Sequence, residues 1–175
     1  LSIDGLDPRS GTPLWTVGGM RRECIPTPVT AGGLLYAVSG PSLAIRPGGR
    51  GDVTGSHVVW ENPRGAPFVP SAILVGDYYY LVDEQGITTC LRIDNGERVW
   101  QKRLPGAYTA SPVATGSHIY FTSETGETTV IKAHVSTYEQ VNRNELGEAV
   151  FASAAVTDKQ ILIRTTGHLW CIASP

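Results

Sequence analysis

The stretch Ser111-Pro-Val-Ala-Thr-Gly-Ser-His-Ile-Tyr120 decides the fold, because three further stretches of the chain align with it without a gap. The other copies are Thr27-Pro-Val-Thr-Ala-Gly-Gly-Leu-Leu-Tyr36, Ser71-Ala-Ile-Leu-Val-Gly-Asp-Tyr-Tyr-Tyr80 and Ser153-Ala-Ala-Val-Thr-Asp-Lys-Gln-Ile-Leu162. They begin at residues 27, 71, 111 and 153, which gives periods of 44, 40 and 42 residues. A repeat of this length is the first feature that any account of the chain must explain.

Each copy is typical of a β-hairpin. A short apolar strand reaches a turn at Gly32, Gly76, Gly116 or Asp158, residue types that tolerate a positive φ at low cost. The strand that follows is continuously apolar, which indicates burial on both faces. Ser71, Ser111 and Ser153 stand at strand starts, where we expect their hydroxyls to bond unpaired backbone groups.

A polar turn and a third strand follow each hairpin, and a fourth strand then ends in Trp. The closing Trp residues are Trp15, Trp60 and Trp100, each preceded by Gly four or five residues earlier. A tight turn needs the Gly, and the indole offers a large flat surface to a neighbouring sheet. The third interval has Tyr138 in place of this ending, so we expect its sheet to be the least regular.

A unit of about 40 residues with four strands matches one blade of a β-propeller. The sequence therefore predicts an all-β, single-domain chain over residues 1–175, with four blades of four-stranded antiparallel sheet and repeat cores starting near 27, 71, 111 and 153. Residues 1–15 either complete the last blade or belong to a preceding one. The chain either closes as a small ring or is the C-terminal half of a seven- or eight-bladed ring. We favour the half-ring, since its open blade faces require a cover.

The composition excludes several functional classes. A net charge of −2 and a pI near 6.1 predict no attraction to nucleic acid or anionic membranes. No apolar run approaches the roughly 20 residues that span a bilayer. We expect Cys24, Cys90 and Cys171 to be small buried apolar residues, because no second Cys or His lies at metal-ligand spacing. No signal peptide is apparent, so any export signal would lie upstream.

These residues resemble the pyrroloquinoline-quinone-like (PQQ-like) repeat, whose usual blade ending is Asp-x-x-Thr-Gly-x-x-x-Trp. Asp7, Gly11 and Trp15 match that ending, and Gly96 with Trp100 match it in part. The segments 51–60 and 145–153 are similar to BamB-like bacterial propeller proteins. The resemblance covers nearly the whole chain. It implies an exported, periplasmic protein that has no catalytic activity and presents its loops to a protein or peptide partner.

An alternative implied by the same resemblance is the C-terminal half of a quinoprotein dehydrogenase that uses PQQ and calcium. Such enzymes stack the quinone between a Trp and a disulfide of adjacent cysteines, and this chain has no adjacent Cys pair. Its cofactor residues would therefore lie outside this segment. We predict no catalytic residue, no metal site and no cofactor here. Carbohydrate binding at the channel mouth, which would need carboxylates from different blades, is a third hypothesis.

The candidate partner surface is the face formed by two sets of loops, those between blades and those between the second and third strands. Two arginines at similar offsets after a closing Trp could hold an anionic group or a partner carboxylate, unless glutamates of the same rim pair with them. The partner could also pair with an unclosed blade edge, and it could be the missing blades or a second copy. The candidate residues are Arg64, Arg103, Tyr108, Glu84, Glu124, Arg164 and His168.

Overall fold

The protein, described by a computed structural model over residues 1–21, 23–134 and 136–173, consists of five small β-sheets that follow one another along the chain. The N-terminal sheet contains β1 (Ile3–Leu6) and β2 (Pro13–Val17), which pair antiparallel. Four further sheets, the first to fourth blades, correspond to the four repeats. The prediction of an all-β propeller is confirmed, and the ring is not closed by the described residues.

The first blade has its strands in sequential antiparallel order, with one excursion toward the N-terminal sheet. Its strands are β3 (Val29–Ala31), β4 (Leu34–Val38), β5 (Ser42–Ile45) and β7 (Val58–Asn62). Between β5 and β7, the two-residue strand β6 (Gly51–Asp52) pairs parallel with β2. A single helical turn, α1 (Thr54–His57), follows it. No helix of the described residues is long and apolar enough to cross a membrane.

The second and third blades are four-stranded meanders, and the fourth blade has three strands among the described residues. The second blade contains β8 (Ile73–Val75), β9 (Tyr78–Val82), β10 (Ile87–Arg92) and β11 (Arg98–Arg103). The third contains β12 (Val113–Thr115), β13 (His118–Thr122), β14 (Glu127–Lys132) and β15 (Gln140–Glu145). The fourth contains β16 (Ala155–Val156), β17 (Gln160–Arg164) and β18 (Leu169–Ala173).

The third blade is as regular as the second, so the expectation that it would be the least regular is wrong. Its fourth strand β15 pairs with β14 from Glu127 to Ile131 and carries the same bulge as the first and second blades, where Val130 and Ile131 face Asn142 and Gln140. Backbone pairing does not require the closing Trp. The missing indole changes the packing between blades instead.

The hairpin turns differ in how they satisfy the backbone. Gly76 has φ +58°, and a Cβ there would lie 2.3 Å from His134 Nδ1, so both conformation and space require glycine. Asp158 was expected to adopt a positive φ, but it does not. Its turn is held instead by the bond from the Thr157 amide to the Gln160 carbonyl, at 2.9 Å. The fourth hairpin therefore needs no glycine.

A direct hydrogen bond joins the start of each repeat to the start of the next. The Thr27 amide donates to the hydroxyl of Ser71, the Ser71 amide to that of Ser111, and the Ser111 amide to that of Ser153, each at 2.9 Å. The innermost strands β3, β8, β12 and β16 lie side by side in that order. The expectation that these hydroxyls bond unpaired backbone groups is confirmed.

Each closing Trp lies opposite a small residue on the antiparallel neighbouring strand of its sheet. The opposed pairs are Gly5 and Trp15, Ala44 and Trp60, and Cys90 and Trp100. The small residue leaves room for the indole to lie over its own strand and still pack on the next blade. Trp60 shows this packing, since its Nε1–H donates to the Ile93 carbonyl of the second blade at 2.9 Å.

Three apolar clusters fill the spaces between successive sheets. Between the N-terminal sheet and the first blade, Trp15 and Val17 pack against Leu43 and Ile45. The next two clusters are built around Trp60 and Trp100 in the same way. The cysteine prediction holds only for Cys90, which is fully buried, whereas Cys24 and Cys171 are exposed. Cys171 is exposed because no described strand pairs with the outer edge of β18.

Substitution of Gly5 tests the rule that a small residue must face the Trp. A Cβ at Gly5 would lie 2.0 Å from Cε2 of Trp15, so the indole must move off the first blade. We expect Gly5→Ala to lower the free energy of unfolding by about 1–3 kcal/mol, as overpacking commonly does. Urea denaturation followed by circular dichroism measures this change.

Gly55→Ala is the matched control. Gly55 lies in α1, and nothing lies within 4 Å of a Cβ built there. Because Ala favours a helix over Gly, this variant should be as stable as the wild type or slightly more stable. Equal losses in the two variants would contradict the packing rule.

Candidate functional site

The predicted partner face is built from loops that fold onto one another. After the fourth strand of the second blade, the chain turns back over the β9–β10 turn, where the Leu104 amide donates to the Gly86 carbonyl and the Tyr108 amide to the Glu84 carbonyl. The loop after the third blade repeats the pattern through the amides of Leu146 and Val150. This face is therefore a set of hydrogen-bonded loops with little freedom to rearrange.

Glu84 joins the second blade to the loop that precedes it. Its Oε1 accepts hydrogen bonds from the amides of Phe68 and Val69, both at 2.7 Å. Glu124 does the same in the third blade, where its carboxylate accepts a hydrogen bond from the Thr109 hydroxyl. Among the described residues, neither carboxylate forms an ion pair with Arg64 or Arg103. Both glutamates hold loops in place.

Glu148 makes the corresponding connection between the third and fourth blades, but the positions are reversed. The glutamate is now in the loop between blades, and the groups that it binds are in the turn between β17 and β18. Its carboxylate accepts from the Thr165 hydroxyl and, at 3.1 Å, from the Gly167 amide. His168 Nδ1 is 2.5 Å from its Oε1. The Thr165 hydroxyl bond, followed by the His168 and Gly167 bonds, lowers the pKa of Glu148 against its desolvation.

Sequence reasoning identified His168 and missed Glu148. Glu148 stands in the segment Leu146-Gly-Glu-Ala-Val150, where neither spacing nor periodicity marks it. Its partners are 17 to 20 residues away, and two of the atoms that bind it are a hydroxyl and a backbone amide. Only the folded backbone brings those groups to one point.

Tyr108 is not exposed on the loop face, contrary to the expectation from the sequence. Its side chain is fully buried between the second and third blades, and its hydroxyl donates to the Pro105 carbonyl at 3.0 Å. Burial raises the pKa of Tyr108 to about 12. The Tyr108 ring therefore supports the loop and is not available to a partner.

The three candidate arginines are exposed and line three different depressions. Arg64 borders one of about 320 Å³ with Arg98 and Gln101. Arg103 borders one of about 400 Å³ with Gln85. Arg164 borders one of about 270 Å³ with the exposed ring of Phe151. The structure therefore does not gather the arginines into one anion-binding site.

A calcium site needs several oxygen ligands at one point, and the quinone of a PQQ enzyme stacks on a Trp. No group of three or more His, Cys, Asp or Glu side chains among the described residues could hold a metal ion. Trp15, Trp60 and Trp100 are engaged in the packing between sheets. The quinone hypothesis therefore stays a prediction about residues outside this chain.

The most apolar exposed feature is the last strand. In β18, Leu169 is 70% exposed, Ile172 44% and Trp170 38%. On the side away from the third blade, Leu169 and Cys171 of β18 and the adjoining Leu162 and Ala155 form what we call the open face. Among the described residues, no strand pairs with the free edge of β18. This edge of β18 is the unclosed blade edge that the sequence predicts.

Sheets stacked side by side around an axis, three of them ending in a strand that carries Trp, define a β-propeller of PQQ-like repeats. The family model described as outer membrane protein assembly factor BamB matches residues 29–144, and the chain belongs to this family. The family resemblance inferred from the repeat residues is thereby confirmed. No curated protein matches the chain.

Solved structures agree on the fold. BamB from Moraxella catarrhalis is similar with a TM-score of 0.72 and 16% identity, over 93% of this chain and 50% of that one. The computationally designed Ika8 protein gives 0.72 and 10% identity over 93% and 50%. The designed Ika4 protein gives 0.71 and 9% identity over 93% and 99%. The chain thus spans about half of BamB and Ika8, and nearly all of Ika4.

Substitution of Glu148 tests its role in joining the third and fourth blades. A carboxyl whose pKa is lower in the folded than in the unfolded state adds stability above its unfolded pKa, and this stability is lost as the pH falls through the folded pKa. We therefore expect Glu148→Gln to melt at a lower temperature than the wild type at pH 7. The difference should shrink as the pH falls below about 4. Thermal unfolding by circular dichroism measures both.

Glu97→Gln is the control for this experiment, because Glu97 is an exposed glutamate in the turn between β10 and β11. It should melt like the wild type throughout the pH range. A Glu148→Gln variant that matches the wild type at pH 7 would show that these hydrogen bonds do not stabilise the fold.

Proposed function

We propose that this chain is a non-catalytic propeller module that binds a protein partner through the open face and the free edge of β18. The observation that carries the proposal is an apolar edge strand in which Leu169 is 70% exposed and along whose outer side no strand of the described residues pairs. Soluble proteins usually protect such an edge with charge, proline or a covering segment, because it pairs readily with another strand. β18 has neither Lys nor Pro.

The chemistry of this surface favours strand addition over anion recognition. Backbone amides and carbonyls along β18 would give a partner strand its affinity, and Leu169 and Cys171 would give it an apolar contact. The arginines of the loop face lie in separate depressions, so they offer no comparable convergent site. The partner strand that we propose for this edge is β18 of a second copy of the chain.

Family membership supports the same class of function. The family is described as an outer membrane protein assembly factor, and BamB from Moraxella catarrhalis has twice the length that this chain covers. We infer that this chain belongs to an exported bacterial protein that acts in the periplasm as a binding or scaffold subunit. The family description is what supports this location.

Charge placed on the open face tests the proposal. Leu169→Lys combined with Cys171→Lys puts two ammonium groups on β18, where they oppose strand addition. We expect the wild-type chain to associate as its concentration rises, and the double variant to remain monomeric to at least tenfold higher concentration. Size-exclusion chromatography with light scattering gives the mass directly.

Ile25→Lys is the matched control, since Ile25 is an exposed apolar residue outside every strand. This variant should associate like the wild type. A wild-type chain that stays monomeric at all concentrations, or a double variant that associates equally well, would contradict the proposed edge.

A further inference from the structure

A cavity of about 240 Å³ lies between the third and fourth blades. Side chains from both blades form it, so it belongs to neither the loop face nor the open face. Most of its wall is aliphatic or aromatic. The residues that define it are Tyr120, Thr122, Leu146, Ile161, Ile163 and Ile172.

The cavity exists because this interface lacks the indole that fills the two before it. On the fourth strand, the residue opposite Ala44 is Trp60 and the residue opposite Cys90 is Trp100. The corresponding residue opposite Val130 is Asn142, and it is exposed. The third blade thus has the small amide side chain of Asn142 where the first and second blades have the indole of Trp.

At a second position, too, the side chain at this interface is smaller than its counterpart in the preceding repeat. Phe121 of β13 is buried in the cluster that contains Trp100, between the second and third blades. Its counterpart at the same position of the next repeat is Ile163 of β17, which lines the cavity. Two aromatic rings of the interface between the second and third blades, those of Trp100 and Phe121, are thus absent from the interface between the third and fourth blades.

The surface on which an indole would lie is nevertheless preserved. Trp60 packs in one cluster with Tyr36, Tyr79 and Leu91, and its ring centroid is 5.9 Å from that of Tyr36. By strand register, the same three positions at this interface carry Tyr120, Ile161 and Ile172. All three line the cavity.

The two hydroxyl groups of the cavity wall satisfy each other. The hydroxyls of Thr122 and Thr128 bond each other at 2.9 Å. Asn144 is exposed and stands at the wall, where its amide can accept a hydrogen bond from a ring N–H. An engineered protein cavity of about 150 Å³ binds benzene, so a space of this size has room for one aromatic molecule.

We propose that this cavity is a binding site for a small planar aromatic molecule of about the size of indole. The ring lies against Tyr120, Ile161 and Ile172, as the Trp60 indole lies against the corresponding residues, and its polar edge faces Asn144. Aromatic contact and removal of apolar surface from water provide the affinity. The site is independent of the open face, whose residues point to the other side of the fourth blade.

Isothermal titration calorimetry of the 175-residue chain with indole tests the proposal. We expect saturable binding with one site per chain and a negative heat-capacity change, as burial of apolar surface requires. Asn142→Trp restores the repeat residue and should weaken indole binding at least tenfold. Ile163→Phe restores the second ring and should do the same, which guards against misfolding of either variant.

Asn142→Ala is the matched control, because it removes the amide without filling the cavity and should bind indole as the wild type does. Circular dichroism confirms that each variant is folded. No saturable binding to the wild type, or unchanged binding to both folded filling variants, would overturn the proposal. Tighter binding of N-acetyltryptophanamide than of indole would also overturn it, since the occupant would then be a Trp side chain of a peptide.

Discussion

One hydrogen bond, made three times, determines how the blades stand beside one another. It joins the amide at the start of one repeat to the serine hydroxyl at the start of the next, at Ser71, Ser111 and Ser153. These amides lie two residues before the innermost strands, where the sheet offers them no backbone partner, and the serine hydroxyl supplies one. The bond therefore brings neighbouring inner strands together and leaves the apolar faces of the blades opposite each other.

The packing between blades depends on that spacing. With the inner strands joined, the outer strands diverge, and a large flat side chain is needed to fill the widening gap. Trp60 fills it at one interface and Trp100 at the next, and each lies over a small residue of its own sheet. At the third interface Asn142 leaves the gap open, although the strands pair as well as before. Backbone pairing and interface packing are therefore separable in this fold.

The blades could be predicted from sequence because their signals are local and recur at a fixed interval. The hydrogen bonds of the serine hydroxyls could be predicted as well, since Ser71, Ser111 and Ser153 each stand at the start of the first strand of their repeat. The loop face could not be predicted in the same way. Glu84 accepts hydrogen bonds from the backbone amides of Phe68 and Val69. Every residue except proline has such an amide, so the sequence gives no sign of this contact. Tyr108 follows shortly after Pro105 and Gly106, which suggests an exposed loop, yet the loop folds back and buries its side chain.

The serine bond also gives the array a polarity. The second and third blades each supply a hydroxyl to the blade before and an amide to the blade after, so a whole unit inserted between them keeps the same pattern of bonds. Duplication of a blade-length gene segment would thus yield a chain that already satisfies its own backbone at the new junction. A fold assembled this way can lengthen in steps of one blade without redesign of its existing junctions, and the ring size is then decided by curvature alone.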